Sequence, residues 1–339
     1  MYVEAFTQAK DPARPRSNED RWVGYESRLF AVIDGVTDKS GLPLPDGSTR
    51  GQVAGRVIEA CLRRMIAGGE LPTTSEIVAS LTDELASANR DLGLTDAEAA
   101  TAPNLRCAAQ LVAACKTEAG WRFIALGDCG ARIRRRQAAP LLLGASGIHD
   151  DVIAIWRSLV VNHVMHVGGG ASTALAIGRA YALVGNLEHL EEYTAHVDAV
   201  AHSRLAETAT TIARAEHPTA AAEHIDIILN AGILGLGKYR NSSGPLGFAS
   251  LDGSEVPLSH VQDLTLTAAE VTAIELFSDG YFKPPASGAP SVRAWERHFK
   301  HVEATDPYKI GPYRSTKGSS VNKFTDDRTV VIVRQELGE

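Results

Sequence analysis

The stretch Ala108–Arg135, AAQLVAACKTEAGWRFIALGDCGARIRR, decides the fold class. It holds three strand-like segments, Ala108–Cys115, Trp121–Leu126 and Ala131–Arg135, each of ordinary strand length. The separators are Lys116–Gly120 and the turn Gly127-Asp128-Cys129-Gly130. Neither is long enough for the helical crossover that parallel strands need, so the three are antiparallel neighbours. That predicts an α+β protein and not a doubly wound parallel sheet.

Outward from this stretch, Leu29–Ile33 reads as a strand ending at Asp34, followed by a Gly- and Pro-rich loop over Lys39–Thr49. Residues 51–66 carry Val53, Val57, Cys61 and Met65 at helical spacing. Residues 74–90 form a second helix, with Thr74 or Ser75 as its cap and Ile77, Leu81 and Leu85 on one face. Residues 239–266 read as loops and short strands, and the chain closes with a strand at 272–277, a helix at 291–301 and a strand at 329–334. Between them, residues 150 to about 238 change character, being rich in Ala, His, Glu and Leu. Helices are predicted there at 150–166, 171–184 and 187–215, with a short fourth over 219–231. The third follows Leu187, Leu190, Tyr193, Val197, Val200 and Leu205.

The 339 residues are 44% hydrophobic, enough for a sizeable core. A formal net charge of −7 and a pI near 5.9 argue against nonspecific nucleic-acid binding and against an anionic membrane surface. Cys61, Cys107, Cys115 and Cys129 form no C-x-x-C pair and read as buried, reduced thiols. The N-terminus lacks the basic and apolar regions of a signal peptide. The most apolar stretch, Val152–Val167, is broken by Arg157, Asn162, His163 and His166, and it is shorter than the ~20 residues of a membrane span. A soluble, cytoplasmic protein is expected.

Five acidic motifs follow one another along this framework: Asn18-Glu19-Asp20, Asp34-Gly35, Gly127-Asp128, Ser278-Asp279-Gly280 and Asp326-Asp327-Arg328-Thr329. Three of them end apolar runs (29–33, 123–126 and 274–277), and the last leads into Val330–Val333. Taken singly, an Asp after a strand is a turn former or a cap. Taken together, carboxylates at strand ends gather in one rim cleft, where they could not all stay ionised without cations. Such an oxygen-rich cluster suits Mg2+ or Mn2+.

In order and wording these motifs resemble the PPM family, the metal-dependent protein phosphatases of type 2C, from about Asn18 to Arg334. The resemblance implies a four-layer αββα sandwich of two antiparallel sheets flanked by helices. Residues 1–149 and 239–339 would be its core, and 150–238 an enlarged helical insertion or cap, where a protein partner could bind. It implies two Mg2+ or Mn2+ ions, with a third, weaker one seen in some members. By position, Asp34 matches the carboxylate bridging both ions and Gly35 the backbone carbonyl ligand of the second. Asp279 and Asp326 match further ligands of the first, Glu19 and Asp20 the acids that hold metal-bound waters, and Asp128 the third-ion ligand. Asp326 and Asp327 could exchange roles. The implied activity is hydrolysis of phosphoserine and phosphothreonine on proteins by a hydroxide bridging the two ions. A small-molecule phosphoester hydrolase and a pseudophosphatase binding module are the alternatives.

Two departures stand out. The family's phosphate-gripping Arg falls at neither Arg14 nor Arg16, which flank its usual position; Arg16, the nearer to the acidic pair, is the expected catalytic partner of Asp34. Some members place a proton-donating His after Asp-Gly, where this chain has Val36. Other signals are discounted. Gly232–Tyr239 nearly spells a P-loop but ends in Tyr instead of Ser or Thr. The histidines, including the pairs His163/His166 and His189/His196, lack zinc-site spacing. Gly168–Gly170 reads as an interhelical turn, and Arg132–Arg136 as strand alternation or a solvated edge before a phosphate grip.

Overall fold

The computed structural model describes residues 1–37, 44–69, 71–95, 97–98, 102–144, 147–185, 187–319 and 322–335, the side chains of 187–189 excepted. Residues 39–43 of the expected loop lie outside the described residues. The chain divides into two compact units, one of residues 1–145, 240–299 and 326–339, the other of residues 146–239 and 300–325.

The first unit carries two five-stranded antiparallel sheets. Its strands are β1 (Tyr2–Gln8), β2 (Arg21–Tyr25), β3 (Leu29–Gly35), β4 (Ala109–Thr117), β5 (Gly120–Leu126), β6 (Gly130–Arg135), β7 (Leu141–Leu143), β8 (Gln262–Leu266), β9 (Val271–Phe277) and β10 (Arg328–Arg334). One sheet runs β1-β10-β9-β6-β7 and the other β2-β3-β4-β5-β8. The antiparallel β4–β5 pairing expected from Ala108–Arg135 is present, with Leu111 opposite Leu126 and Thr117 opposite Gly120. The expected pairing of the third segment with the second is not made: the Gly127–Gly130 turn crosses between layers, so β6 leaves β5's sheet and pairs with β9 in the other.

The near-continuous apolar runs are explained by burial on both faces. Within β3, Phe30 and Val32 point between the sheets, where they meet Val112, Phe123, Ile133, Ile274, Leu276, Val331 and Val333. The alternate residues Leu29, Ala31 and Ile33 point the other way. There they pack against helices α1 (Arg50–Ala67) and α2 (Thr74–Asp91) through Ile58, Leu62, Ile77, Leu81 and Leu85. Across the other sheet, Trp295 opens a fourth layer, the helix Val292–Thr305, and its indole donates to Glu275 of β9 at 2.7 Å. The expected αββα sandwich is therefore what this unit builds.

In the second unit the helices are α3 (Ile148–His166), α4 (Ala171–Val184), α5 (Ala199–Glu216) and α6 (Ala222–Leu236), which makes Val292–Thr305 α7. Gly168–Gly170 is the expected turn between α3 and α4. Arg157 on α3 is buried and donates to the carbonyls of Tyr308, Lys309 and Ser315. The single helix predicted over 187–215 is two elements. A 3-10 segment, Leu187–Tyr193, is kinked at Leu190, and α5 begins afresh after Asp198. Asp198 accepts the backbone N–H of Ala201 at 2.8 Å, an N-cap that offers the chain a new start. Apolar spacing through Tyr193, Val197 and Val200 continues across this break, which is why periodicity alone missed it. The P-loop-like Gly232–Leu236 lies in α6, kinked at Gly232. Among the described residues, no helix is long and apolar enough to cross a membrane.

Candidate metal centre

All five acidic motifs lie in the first unit, at strand ends. Asp34 closes β3, and the turn carrying Asp128 joins β5 to β6. Ser278 and Asp279 follow β9, and Asp326 and Asp327 precede β10. Gln8 pairs with Arg328 and Val330 with Phe277, so the register sets the Asn18–Asp20 side, the β9 end and the β10 start at one edge. Asp34 shows the result. Its carboxyl is held well above the ordinary carboxylate range, first by burial and then by the charges of Asp20, Asp279, Asp128 and Asp326. Five aspartates from five segments thus share one field. Asp34, Asp128 and Cys129 each place a ligand atom within 4.8 Å of the others.

Glycine makes two of the close passages possible. A Cβ on Gly35 would lie 2.6 Å from the Gly51 carbonyl oxygen and 2.8 Å from that of Glu19, so the Asp-Gly corner can seat against the start of α1 only as glycine. A Cβ on Gly280 would lie 2.0 Å from the carbonyl oxygen of Asp327. The Ser-Asp-Gly turn and the Asp-Asp pair therefore touch backbone to backbone. Phe282, two residues on, adopts a left-handed φ of 58°, a conformation that persists only where surrounding structure imposes it.

Neighbouring hydrogen bonds sort the acids. Asp327 accepts the backbone N–H of Lys10 at 2.6 Å on one oxygen and that of Glu19 at 2.8 Å on the other. Both of its oxygens pin backbone, tying the N-terminal segment to β10. Glu19 is buried and accepts from the hydroxyls of Thr49 at 2.7 Å and Thr37 at 2.8 Å. Thr49 in turn caps α1 in a reciprocal box with Gln52, whose amide reaches the carbonyls of Arg16 at 2.7 Å and Asn18 at 3.2 Å. The T-x-x-Q spelling of that box is readable in sequence; that it also fixes the Arg16–Asn18 loop is not.

Asp20 accepts from the Ser278 hydroxyl at 2.7 Å through one oxygen. Its other oxygen is buried and has no hydrogen-bond partner among the described residues. Burial pushes this carboxyl up, and the charges of Asp327 and Asp279 push it further. A buried acceptor without a donor, on an acid that neighbouring acids push up, fits an all-oxygen site for a hard divalent cation. Cys129 is a buried thiol at the same place, pushed up by burial and by Asp34 and Asp128, so in this structure it is a neutral neighbour. All four cysteines are buried and unbridged, as expected.

Sequence reasoning passed over Lys10. Its ammonium donates to Glu19 at 3.2 Å and to the Thr37 hydroxyl at 3.1 Å, and lies 3.6 Å from Asp326 and 4.0 Å from Asp327. The two candidate arginines differ. Arg14 is exposed and donates to Asp11 at 2.7 Å, whereas Arg16 is exposed with no side-chain partner among the described residues. The Arg132–Arg136 run is occupied elsewhere. Arg132 and Arg134 both donate to Glu275, and Arg135 and Arg136 donate to the carbonyls of Ala139 and Ala269.

No protein-family model matches the sequence. No curated protein matches it either. Among solved structures, the chain is similar to the Mycobacterium tuberculosis serine/threonine phosphatase PstP/Ppp, with a TM-score of 0.45 and 13% identity over 99% of this chain and 98% of that one. It is similar to the Staphylococcus aureus serine/threonine phosphatase Stp1, with a TM-score of 0.43 and 12% identity over 99% and 95%. PppA, a regulatory component of T6SS in Pseudomonas aeruginosa, aligns with a TM-score of 0.43 and 14% identity over 98% and 96%.

Proposed function

We propose that this chain is a metal-dependent phosphatase of the PPM type, acting on phosphoserine and phosphothreonine of proteins. One observation carries the reading: five aspartates from separate segments meet at the sandwich edge, where the other four raise the proton affinity of Asp34 and a buried Asp20 oxygen is left without a donor. The motif order and the αββα architecture support the same family assignment.

Asp34, Asp279, Asp326 and the Gly35 carbonyl would hold two Mg2+ or Mn2+ ions, with Asp128 at a third. Asp326 is the better ligand of its pair, because both oxygens of Asp327 are engaged by backbone amides. Asp20, held by Ser278, would orient the waters around the ions. Bound divalent cations would supply positive charge for the phosphoryl oxygens and make a water acidic enough to attack at neutral pH. Arg16, exposed on the loop that Gln52 fixes, would bind the substrate phosphate. Val36 offers no proton, so the leaving group would take one from solvent. The helical segment 150–238 would be the cap, where substrate proteins or partners are selected.

The test is p-nitrophenyl phosphate hydrolysis with Mn2+, Mg2+ or EDTA, for wild type beside Asp279→Asn. Turnover should require metal and fall at least about a hundredfold in the mutant, a loss of ~2.7 kcal/mol of transition-state stabilisation. A folded wild type that binds metal yet turns over no phosphoester would make the chain a binding module instead.

A further inference from the structure

The acidic cluster is not uniform. One side has a cation of its own: the Lys10 ammonium reaches Glu19, Asp326 and Asp327, all within 4.0 Å. The lysine is also well anchored. Its backbone N–H is bound by Asp327, and its ammonium is held by Glu19 and the Thr37 hydroxyl.

On the phosphatase reading, Asp326 is both a metal ligand and the acid 3.6 Å from this ammonium. A divalent ion bound to Asp326 would stand within a few ångströms of a fixed positive charge. We propose that Lys10 is a tethered competitor for the metal site: it neutralises the Asp326 side of the cluster in the absence of metal, and the ion that binds Asp326 must displace it. Resting stability without metal and weaker occupancy of that position then have one source. Occupancy at Asp326 then needs a higher metal concentration than it would without the lysine. Neither the spacing of the acidic motifs nor the phosphatase reading requires a lysine here.

The experiment measures Mn2+ binding to the metal-free protein by the electron paramagnetic resonance of free Mn2+. Wild type, Lys10→Met, Lys10→Arg and Asp34→Asn are compared, with folding checked by circular dichroism. Lys10→Met removes the charge and keeps the chain length and the backbone amide that Asp327 binds; Lys10→Gln serves if the Met variant does not fold. The weaker Mn2+ step should tighten about tenfold or more in Lys10→Met and stay within about threefold of wild type in Lys10→Arg. If wild type binds Mn2+, Asp34→Asn does not, and Lys10→Met binds no more tightly than wild type, the lysine proposal is overturned while the metal reading stands. If none of the folded proteins binds Mn2+, both fall.

Discussion

Two buried acidic sites lie in the same sandwich, and the protein treats them in opposite ways. Glu275, on β9, is fully buried and surrounded by donors. Arg132 meets it bidentately at 2.8 and 2.5 Å, Arg134 adds a bond at 2.7 Å and Trp295 another at 2.7 Å. Burial alone would raise this carboxyl, but the arginines win and hold it below the ordinary glutamate range. At the strand ends of the same unit, Asp20 and Asp34 are raised well above theirs. The difference separates a structural site from a candidate binding site. Glu275 carries its own counter-charges and locks β6, β9 and α7 together. Asp20 and Asp34 have acids for neighbours instead, and on the reading proposed above a divalent cation would supply the missing positive charge.

Removing an arginine from the satisfied site should cost most. Arg132→Met leaves Glu275 buried with only Arg134 and Trp295, and should destabilise the metal-free protein by about 3 kcal/mol, in the range for breaking a buried pair. Urea unfolding measures it. Glu275→Gln combined with Arg132→Met should cost clearly less than the sum of the two single changes, because the buried carboxylate is neutralised together with the arginine that pairs it bidentately. Additive losses would show that the arginines pack against the sheet without serving the carboxylate, and the contrast between the two sites would fail.

The two sites should also respond to pH with opposite signs. Glu275 has a lowered folded pKa, so its stabilisation is present above the unfolded value near 4.5 and is lost as pH falls. Asp20 and Asp34 have raised folded pKa values, so the folded state binds more protons than the unfolded one above pH 3.8. Their contribution therefore falls as pH rises from there towards the raised values. In EDTA, melting temperature should decline on both sides of a mildly acidic maximum, and Mn2+ should remove only the decline towards neutral pH. Asp34→Asn should raise the metal-free melting temperature at pH 7.5 by about 2–4 °C, the shift that ~1 kcal/mol gives in a chain of this size, and should abolish the Mn2+ response. A metal-free melting temperature indifferent to Asp34→Asn would mean that the cluster is not short of charge.

How much of this was legible beforehand follows from the range of each interaction. Leu29–Ile33, Phe123–Leu126 and Ile274–Phe277 could be read because burial on both faces writes itself into consecutive residues. The acids at their ends could be read because a strand end is a position in the fold as well as in the chain. Lys10 could not. It lies eight residues before Asn18 and meets Asp326 only because β1 pairs with β10 at Gln8 and Arg328. The partners of the Arg132–Arg136 run were hidden for the same reason, since Glu275 and Arg132 meet by β6–β9 register. The boundary at Asp198 was local and its residue type was a fair signal, but the apolar spacing on either side outweighed it.

The same contrast between satisfied and unsatisfied charge recurs in miniature at the two arginines of the N-terminal loop, and there the expected effect is smallest. Arg14 is paired with Asp11 at 2.7 Å, while Arg16 has no partner among the described residues, although its backbone carbonyl is fixed by Gln52. A guanidinium with nothing to hold, on a backbone that is held, is the one suited to a substrate phosphate. Arg16→Ala should raise KM for a phosphopeptide about three- to tenfold, roughly 1 kcal/mol, with kcat little changed, because the grip is the same in ground and transition states. Arg14→Ala should alter KM by less than about twofold. The reverse ranking would mean that substrate draws Arg14 off Asp11, and that a pair satisfied in the resting protein can still be part of the site.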